Sequence, residues 1–361
     1  MLGALLKWAK RNERWLSSVF FLGGFIGDVV AFTLLEVSIV NLIFSVYLML
    51  GGAAILFSHY LFSHRQAHPG RITQALLLAL PLFVQYAVGA ILSGSLIFYT
   101  KSATLEVSWP FLILLALVFF GNEIFRNYRE HLAFQTTLFF FGLYAYAIFA
   151  LPLILGQLGP YVFLGSSGIA LGVLLLFLWL LYRVGESRFR QSFKVVIVSA
   201  VGIVLAVSGA YFTGLIPPLP LGLKDSGVYH LVERSGAGYH VRTEAKRPWW
   251  QFYEHQVVHH VPGTPLYAYS AIFAPIRFSA TVVHEWERFD PSSKKWVLEN
   301  RVSFPVSGGR AEGYRGYSLK SDPRPGLWRV SIKTREGQTI GRFAFLVENV
   351  ATAPPLLEEA K

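Results

Sequence analysis

The stretch Leu215-Ile-Pro-Pro-Leu-Pro-Leu221 divides this 361-residue chain into two unlike parts. Three prolines in four positions cannot continue a helix, so the apolar segment before them ends there. Residues 1–216 carry 13 Lys or Arg and 7 Asp or Glu, whereas residues 217–361 carry 19 and 14. Only 15% of the whole chain is charged, against about a quarter of a soluble domain. The composition therefore excludes a wholly soluble chain and predicts a membrane part followed by a water-soluble part.

On the N-terminal side, apolar stretches long enough to cross a bilayer predict an all-α membrane bundle of about seven spans within residues 15–216. A basic leader, residues 1–14, precedes it. The third span is longer than a perpendicular crossing needs, which favours a tilt or a break near Pro81, Gly89 or Gly94. The predicted spans are 15–35, 38–58, 73–98, 107–125, 133–155, 160–182 and 195–216.

Basic residues lie in the leader and in the loops after the second, fourth and sixth predicted spans, whereas the alternate loops hold a single basic residue, Lys101. Because Lys and Arg are retained on the cytoplasmic side, this pattern predicts a cytoplasmic N-terminus. An odd number of spans then places the C-terminal domain outside the cytoplasm. The basic residues are Lys7, Lys10, Arg11, Arg14, Arg65, Arg71, Arg126, Arg129, Arg183, Arg188, Arg190 and Lys194.

Asp28 is the candidate functional residue of the membrane part. A carboxylate within a span costs at least a few kcal/mol, so it should face the bundle interior, pair with a partner, or be protonated. One interpretation is an ion, proton or substrate site, which predicts other buried polar groups around it, such as Asn41, Gln85 or Asn122. No Lys or Arg lies at comparable depth in another span, which favours an interfacial Asp28 hydrogen-bonded to a neighbouring helix.

Two groups of histidines have spacings that occur in metal sites. His59, His64 and His68 resemble the first histidine box of membrane-bound di-iron oxygenases, but such enzymes need several boxes on one side of the bilayer. His255 and His259 would share one face of a helix and bind zinc there, although the Glu of a His-Glu-x-x-His motif is missing. We therefore expect no metal and no other cofactor, with His255 and His259 as minority candidates.

On the C-terminal side, residues 265–348 alternate between apolar and polar positions and predict an all-β sandwich of immunoglobulin-like type. The chain has no cysteine, so this domain holds without disulfides. Residues 217–264 are predicted as a connector without a clear pattern, with a helix or strand pair around Trp249–His259, and residues 349–361 as a tail. The predicted strands are 266–274, 277–288, 296–304, 312–320, 326–334 and 340–347.

Four motifs follow one another in this region. They are Val283-His-Glu-Trp286, Gly313-Tyr-Arg-Gly-Tyr-Ser-Leu-Lys320, Pro325-Gly-Leu-Trp-Arg-Val330 and Gly341-Arg-Phe-Ala-Phe-Leu-Val347. In this order they resemble a family of proteobacterial domains of unknown function, and the membrane part is similar to the multispan region that often precedes that domain. The sequence departs from the family at Gly316, where Thr is usual, and in a longer turn after Asp290. The resemblance implies a protein of the bacterial inner membrane with a periplasmic β domain, and no assigned activity.

Within these motifs, Arg315, Tyr317, Lys320, His284 and Trp286 are the candidate ligand-binding residues. A basic group among exposed aromatic rings is typical of sites that stack on sugars or bind a carboxylate or phosphate. Tryptophan at strand spacing usually belongs to a core, which favours a structural role for Trp286 and Trp328, with His284 and Arg315 hydrogen-bonded to turns of the sandwich. Arg315 and Lys320 are the stronger ligand candidates.

The sequence contains no serine elbow, Walker loop, dinucleotide fingerprint or paired-carboxylate motif, and therefore no candidate catalytic residue. We predict a non-enzymatic binding module for an envelope protein or glycan, anchored in the lipid bilayer and without a nucleic-acid partner. The alternative is a transporter or membrane enzyme with a polar site near Asp28, for which the β domain serves as a lid.

Overall fold

The computed structural model of the chain describes most residues from Phe25 onward, in two compact units that are treated separately here. One unit is helical. The other holds Thr213–Lys361 together with the short segments Thr100–Trp109 and Pro152–Pro160. The predicted leader, residues 1–14, and the first part of the first span lie outside the described residues. Those described are 25–32, 35, 37–64, 70–102, 105–124, 131–216, 218, 221–236, 238–245, 255–275, 278–310 and 313–361.

A helical stretch at residues 25–32 is followed by six longer helices. They are α1 (Val37–Ser63), α2 (Arg71–Ser102), α3 (Leu105–Ile124), α4 (Leu132–Leu155), α5 (Pro160–Val184) and α6 (Glu186–Phe212). Five of them, all except α3, are long and apolar enough to cross a membrane. The helical N-terminal part of the prediction is thus confirmed, while the count of seven spans stays a prediction.

The long third predicted span is one continuous helix. α2 contains Pro81 and runs on without interruption for 32 residues, so a break near Pro81, Gly89 or Gly94 was the wrong alternative. At 1.5 Å per residue the helix is about 48 Å long, against roughly 30 Å for a bilayer core. Gly94 instead gives room for a close helix contact, because a Cβ added there would lie 2.2 Å from the Phe44 ring of α1.

The β unit contains eleven strands within the described residues. They are β1 (Gly222–Tyr229), β2 (Leu231–Ser235), β3 (Gly238–Thr243), β4 (Gln256–His260), β5 (Leu266–Phe273), β6 (Ser279–Asp290), β7 (Lys295–Ser307), β8 (Tyr314–Lys320), β9 (Gly326–Thr334), β10 (Thr339–Asn349) and β11 (Leu357–Ala360). They form three sheets with the strand orders β1-β5-β8, β4-β10-β9-β6-β7 and β11-β3-β2. Each neighbouring pair is antiparallel except β4 and β10, which are parallel.

The core of the β unit lies between the five-stranded sheet and the sheet β1-β5-β8. Trp286 and Trp328 are both fully buried there, with ring centroids 6.5 Å apart in an edge-to-face arrangement. Leu266 and Ala268 of β5 complete the packing from the opposite sheet. All six predicted strands are present as β5 to β10, because the alternation that predicted them follows from one buried face per strand. The C-terminal β region is thereby confirmed, and its immunoglobulin-like type stays a prediction.

The third sheet covers the outer face of β1-β5-β8. Its Val232 and Val241 pack against Tyr229, Tyr269 and Ala271. β structure therefore begins at residue 222, and the predicted connector 217–264 supplies four strands. The predicted tail 349–361 supplies β11, which pairs with β3. β1, β4 and β11 pair with segments far away in the sequence, so local patterns did not reveal them. The hairpin β2–β3 is local, and its pattern was missed.

Candidate ligand-binding site

His284 lies at the centre of a buried polar network that joins the two facing sheets. Its Nε2 atom is 2.8 Å from Ser270 Oγ of β5, and its Nδ1 atom is 2.9 Å from Ser318 Oγ of β8. Trp286 Nε1 donates a hydrogen bond of 2.9 Å to the same Ser318 Oγ. The alternation of β6 turns both His284 and Trp286 toward the core, where they meet the two serines.

Burial gives this network of His284, Ser270 and Ser318 a role in packing the core rather than in contacting a ligand. It lowers the pKa of His284 to about 4, so the imidazole is neutral at ordinary pH. A serine beside a histidine is also the arrangement of a nucleophile and its base, but His284 and Ser270 are 0% exposed and Ser318 only 3%. No substrate reaches such a pair. His284 and Trp286 are therefore core residues rather than ligand contacts, and His284 bonds to strand serines instead of the predicted turns.

The opposite face of β6 carries two buried carboxylates. Glu285 is bonded to Arg301 and, at 2.6 Å, to Lys333 Nζ. Glu287 accepts two hydrogen bonds from Arg329, at 2.7 and 2.8 Å. Burial alone would raise the pKa of both carboxyl groups, but the bonds from these cations lower each pKa below its ordinary value. Both glutamates are thus held ionised, as parts of ion pairs rather than as proton donors.

Sequence reasoning missed these ion pairs although the signal was present. In Val283-His-Glu-Trp-Glu287 the glutamates alternate with His284 and Trp286: Glu285 lies between the two and Glu287 follows Trp286. Once His284 and Trp286 are assigned to the core, a period of two places both carboxylates on the other face. Their cationic partners come from β7 and β9, so only the sheet order reveals the pairs.

Tyr317 and Arg315 lie on the outer face of β8, as part of a row of aromatic rings. Tyr317 pairs with Tyr269 across the sheet and is 39% exposed. Its ring centroid is 6.0 Å from that of Tyr267 on β5 and 6.0 Å from that of Tyr239 on β3. We call this surface the tyrosine face, defined by Tyr239, Tyr267, Tyr269, Tyr317 and Arg315.

The tyrosine face combines exposed ring surface with a fixed cation. Tyr269 is buried beneath the other rings, and this burial, which Arg315 opposes, raises its pKa to about 12. Its hydroxyl group thus stays protonated. Arg315 reaches toward the third sheet, where a Cβ added at Gly238 would lie 3.8 Å from Arg315 Nη1. Aromatic rings with a polar edge beside a guanidinium group have the chemistry for contacting hydroxyl-bearing and anionic ligands.

Lys320, the third basic candidate, lies apart from the tyrosine face. Its pairing partner Leu266 faces the core, so Lys320 points to the inner side of β8, at the end of the strand. Its Nζ atom is 3.7 Å from Glu299 Oε2 and 5.7 Å from the centre of the Trp328 ring. The structure thus brings Arg315 and Tyr317 together, buries His284 and Trp286, and assigns Lys320 to a separate ionic cluster.

The proposed zinc pair is not supported by the local structure. His259 lies on strand β4 and His255 directly precedes that strand, so the two do not share a helical face. His259 Nδ1 is instead 2.6 Å from Glu244 Oε2, and His230 Nε2 is 2.9 Å from Glu244 Oε1. Within the described part of the chain, no group of three or more His, Asp or Glu side chains is arranged to hold a metal ion.

The helical unit gives His59 a structural role. His59 is buried in α1, and its Nε2 atom is 3.1 Å from the carbonyl oxygens of both Leu181 and Gly185. A carbonyl only accepts, so His59 donates, and it satisfies carbonyls at the C-terminal end of α5. His68 of the predicted histidine box lies outside the described residues.

Asp28 lies in the helical stretch 25–32, near Ser93 of α2 and Tyr47 of α1. Its surroundings include polar groups of neighbouring helices, and it is partly buried. The side chain of Asn122, one of the polar groups predicted around it, lies outside the described residues. A cavity of about 400 Å³ in this unit has another location and is lined almost wholly by apolar groups of α3, α4 and α6, such as Leu114, Phe134 and Val207.

Part of the β unit matches a known protein family. A family described as a protein of unknown function (DUF2914) matches residues 279–347, which run from the start of β6 almost to the end of β10. The resemblance to a family of unknown function is thus confirmed for this C-terminal region. No protein with curated annotation matches the chain.

Similarities to solved structures are weak. A β-glucosidase from Listeria innocua in complex with isofagomine is 12% identical over 32% of this chain and 17% of its own, with a TM-score of 0.20. The same enzyme in complex with gluconolactone is 13% identical over 31% of this chain and 16% of its own, with a TM-score of 0.18. A Pseudomonas fluorescens alkylpurine DNA glycosylase bound to DNA that contains an abasic site analog is 10% identical over 78% of this chain and 84% of its own, with a TM-score of 0.23. This chain thus spans about a sixth of the glucosidase length, and TM-scores this low carry no argument.

Proposed function

We propose that this protein is a non-enzymatic binding module of the bacterial inner membrane, whose β unit contacts an envelope glycan through the tyrosine face. The single observation that supports this function is the row of exposed and half-buried rings of Tyr239, Tyr267 and Tyr317, with Arg315 on the same face. Sugar rings present C–H surfaces that stack on aromatic rings and hydroxyl groups that bond to polar edges.

The other candidate chemical groups of the β unit support a binding role over catalysis. His284 is enclosed with its serines, and Glu285 and Glu287 are neutralised by cations. The tyrosine face, by contrast, presents Tyr317 to solvent on β8, an edge strand of its sheet. In this proposal seven spans anchor the protein in the inner membrane, with the N-terminus in the cytoplasm. The immunoglobulin-like domain then lies in the periplasm, where peptidoglycan and lipopolysaccharide are found.

The test is co-sedimentation of the full-length protein, purified in detergent, with peptidoglycan sacculi. We expect the wild-type protein to sediment with the sacculi. Tyr317→Ala should weaken binding roughly fivefold, since an aromatic contact contributes about 1 kcal/mol, whereas Tyr317→Phe keeps the ring and should bind like the wild type.

The matched control is Leu298→Ala, which removes a similarly exposed apolar side chain from β7 rather than from the tyrosine face. This variant should bind like the wild type. Absence of binding to peptidoglycan and equally to lipopolysaccharide would overturn the glycan proposal. Equal losses for Tyr317→Ala and Leu298→Ala would show that the tyrosine face is not the contact.

A further inference from the structure

Three cations converge on the single carboxylate of Glu299 in β7. Arg288 Nε lies 3.2 Å from Glu299 Oε1, and Arg324 Nη2 lies 2.7 Å from the same oxygen. Lys320 Nζ is 3.7 Å from the other oxygen, Oε2. We call this group the Glu299 cluster, defined by Arg288, Glu299, Lys320 and Arg324.

A β-bulge is what brings Glu299 to this position. Opposite the bond between Trp286 and Glu287, the partner positions on β7 change from Asn300 to Leu298, so Glu299 is the extra residue of the strand. Such an extra residue re-aims its side chain away from the regular alternation. Glu299 therefore bonds to Arg288 of β6, instead of adding a third acid to the face of Glu285 and Glu287.

The cluster is rigid on one side and open on the other. The side chains of Arg288 and Lys320 are only 22% and 21% exposed. Arg324, in contrast, is 65% exposed, and its backbone oxygen accepts a 2.7 Å hydrogen bond from Trp328 Nε1. The cation of Lys320 also lies over the ring of Trp328. Two cations are thus fixed beside the core, and a third extends into solvent next to them.

The charges of the cluster do not balance. One carboxylate bonds to three cations, and the charge of Asp290 also acts on Arg288, so these five groups together keep a surplus of one positive charge. Like charges held this closely repel one another, and an added anion relieves the repulsion. A phosphate group carries close to two negative charges at neutral pH, offers several acceptor oxygens, and is bound well by guanidinium groups.

We infer that the Glu299 cluster is a binding site for a phosphate group, with Arg324 closing over the ligand and Glu299 holding the cations in place. The site is independent of the tyrosine face, so failure of either proposal leaves the other standing. Its ligand is a phosphate group either free in solution or on a lipid headgroup.

The experiment titrates inorganic phosphate into the full-length protein in detergent and follows tryptophan fluorescence, because Lys320 lies over Trp328. Arg324→Gln should weaken phosphate binding about tenfold. Glu299→Gln should instead strengthen it several-fold, because the amide oxygen still accepts from Arg288 and Arg324 and holds them in place, while the negative charge that competes with the ligand is removed. Arg301→Gln is the matched control: Arg301 is 62% exposed, lies on the other face of the same sheet, and its loss changes the net charge equally.

The outcomes separate clearly. Equal losses in Arg324→Gln and Arg301→Gln would mean a general charge effect and would overturn the site, as would weaker binding in Glu299→Gln. Arg324 is largely exposed, so its variant remains informative even if Glu299→Gln does not fold. Binding to vesicles that contain phosphatidic acid, without binding to inorganic phosphate, would support the site with a lipid headgroup as its source. Binding to neither would overturn it.

Discussion

The buried imidazole of His284 makes the stability of the β core depend on pH, because its pKa differs between the folded and the unfolded protein. In the folded protein burial lowers its pKa to about 4, whereas in the unfolded chain it has the ordinary value of 6.5. Above pH 6.5 it is neutral in both states. As the pH falls from 6.5 to 4, only the unfolded chain takes up the proton, so stability falls. Over this interval the loss is about 3 kcal/mol.

We therefore predict that His284→Gln flattens the pH dependence of stability between pH 6.5 and 4. The measurement is urea unfolding of the full-length protein in detergent, followed by tryptophan fluorescence, with the difference between wild type and variant plotted against pH. This difference isolates His284, because other groups titrate in both proteins. The lowered pKa values of Glu285 and Glu287 make their contributions disappear only below pH 4.5, again in both. A difference that does not change with pH would contradict the buried neutral state.

At the scale of elements, the third sheet depends on its last strand. β11 covers the edge of β3, and Lys361 Nζ bonds to Asp225 of β1 at 2.7 Å. Burial lowers the pKa of Lys361, but the bond to Asp225 outweighs it and the pKa is raised, so Lys361 stays charged. Without β11 the sheet would be the hairpin β2–β3, and a two-stranded hairpin is only marginally stable.

Deletion of residues 357–361 is therefore predicted to loosen β2 and β3 while β6 and β9 keep their protection. Hydrogen exchange of the full-length protein, read by mass spectrometry, measures this, and we expect at least tenfold faster exchange in residues 231–243. The control is Glu358→Ala, which removes only an exposed ion pair with Arg242 and should change exchange by no more than about fivefold, given at most about 1 kcal/mol for such a pair. Unchanged exchange after the deletion would show that β11 does not stabilise the sheet.

The elements also show which parts of the structure the sequence could predict. β9 and β10 alternate apolar and polar residues in the sequence because one face of each lies in the core, as with Trp328, Val330 and Ile332 of β9, and their prediction was correct. The strands β1 and β4 pair with β5 and β10, across long separations in the sequence, so local patterns did not reveal them.

For the candidate site, residue type identified Arg315 and Tyr317, and strand register explains why they share a face. Tyr239 and Tyr267 were missed because the first comes from a sheet that was not predicted, and the second joins the row only through its position beside Tyr317. Lys320 was grouped with Arg315 from sequence proximity alone, although an odd spacing of five places the two on opposite faces of β8.

At the scale of the whole molecule, the charges of the loops predict orientation, which composition alone does not. The basic residues follow the predicted second, fourth and sixth spans. They are Arg65 after α1, Arg126 and Arg129 after α3, and Arg183, Arg188, Arg190 and Lys194 around the junction of α5 and α6. The connection between α4 and α5, residues 156–159, carries no charge. Retention of Lys and Arg in the cytoplasm then predicts a cytoplasmic N-terminus and a periplasmic C-terminus.

Fusions at the C-terminus test this orientation. A fused alkaline phosphatase, which is active only after export, should show high activity, and a fused green fluorescent protein should not fluoresce. A matched pair of fusions after Arg188, in the first turn of α6 and between the predicted sixth and seventh spans, should give the reverse result, because one span fewer precedes the reporter. A fluorescent C-terminal fusion without phosphatase activity would place the β unit in the cytoplasm. Because sacculi and lipopolysaccharide lie beyond the inner membrane, that outcome would also remove the glycan proposed for the tyrosine face.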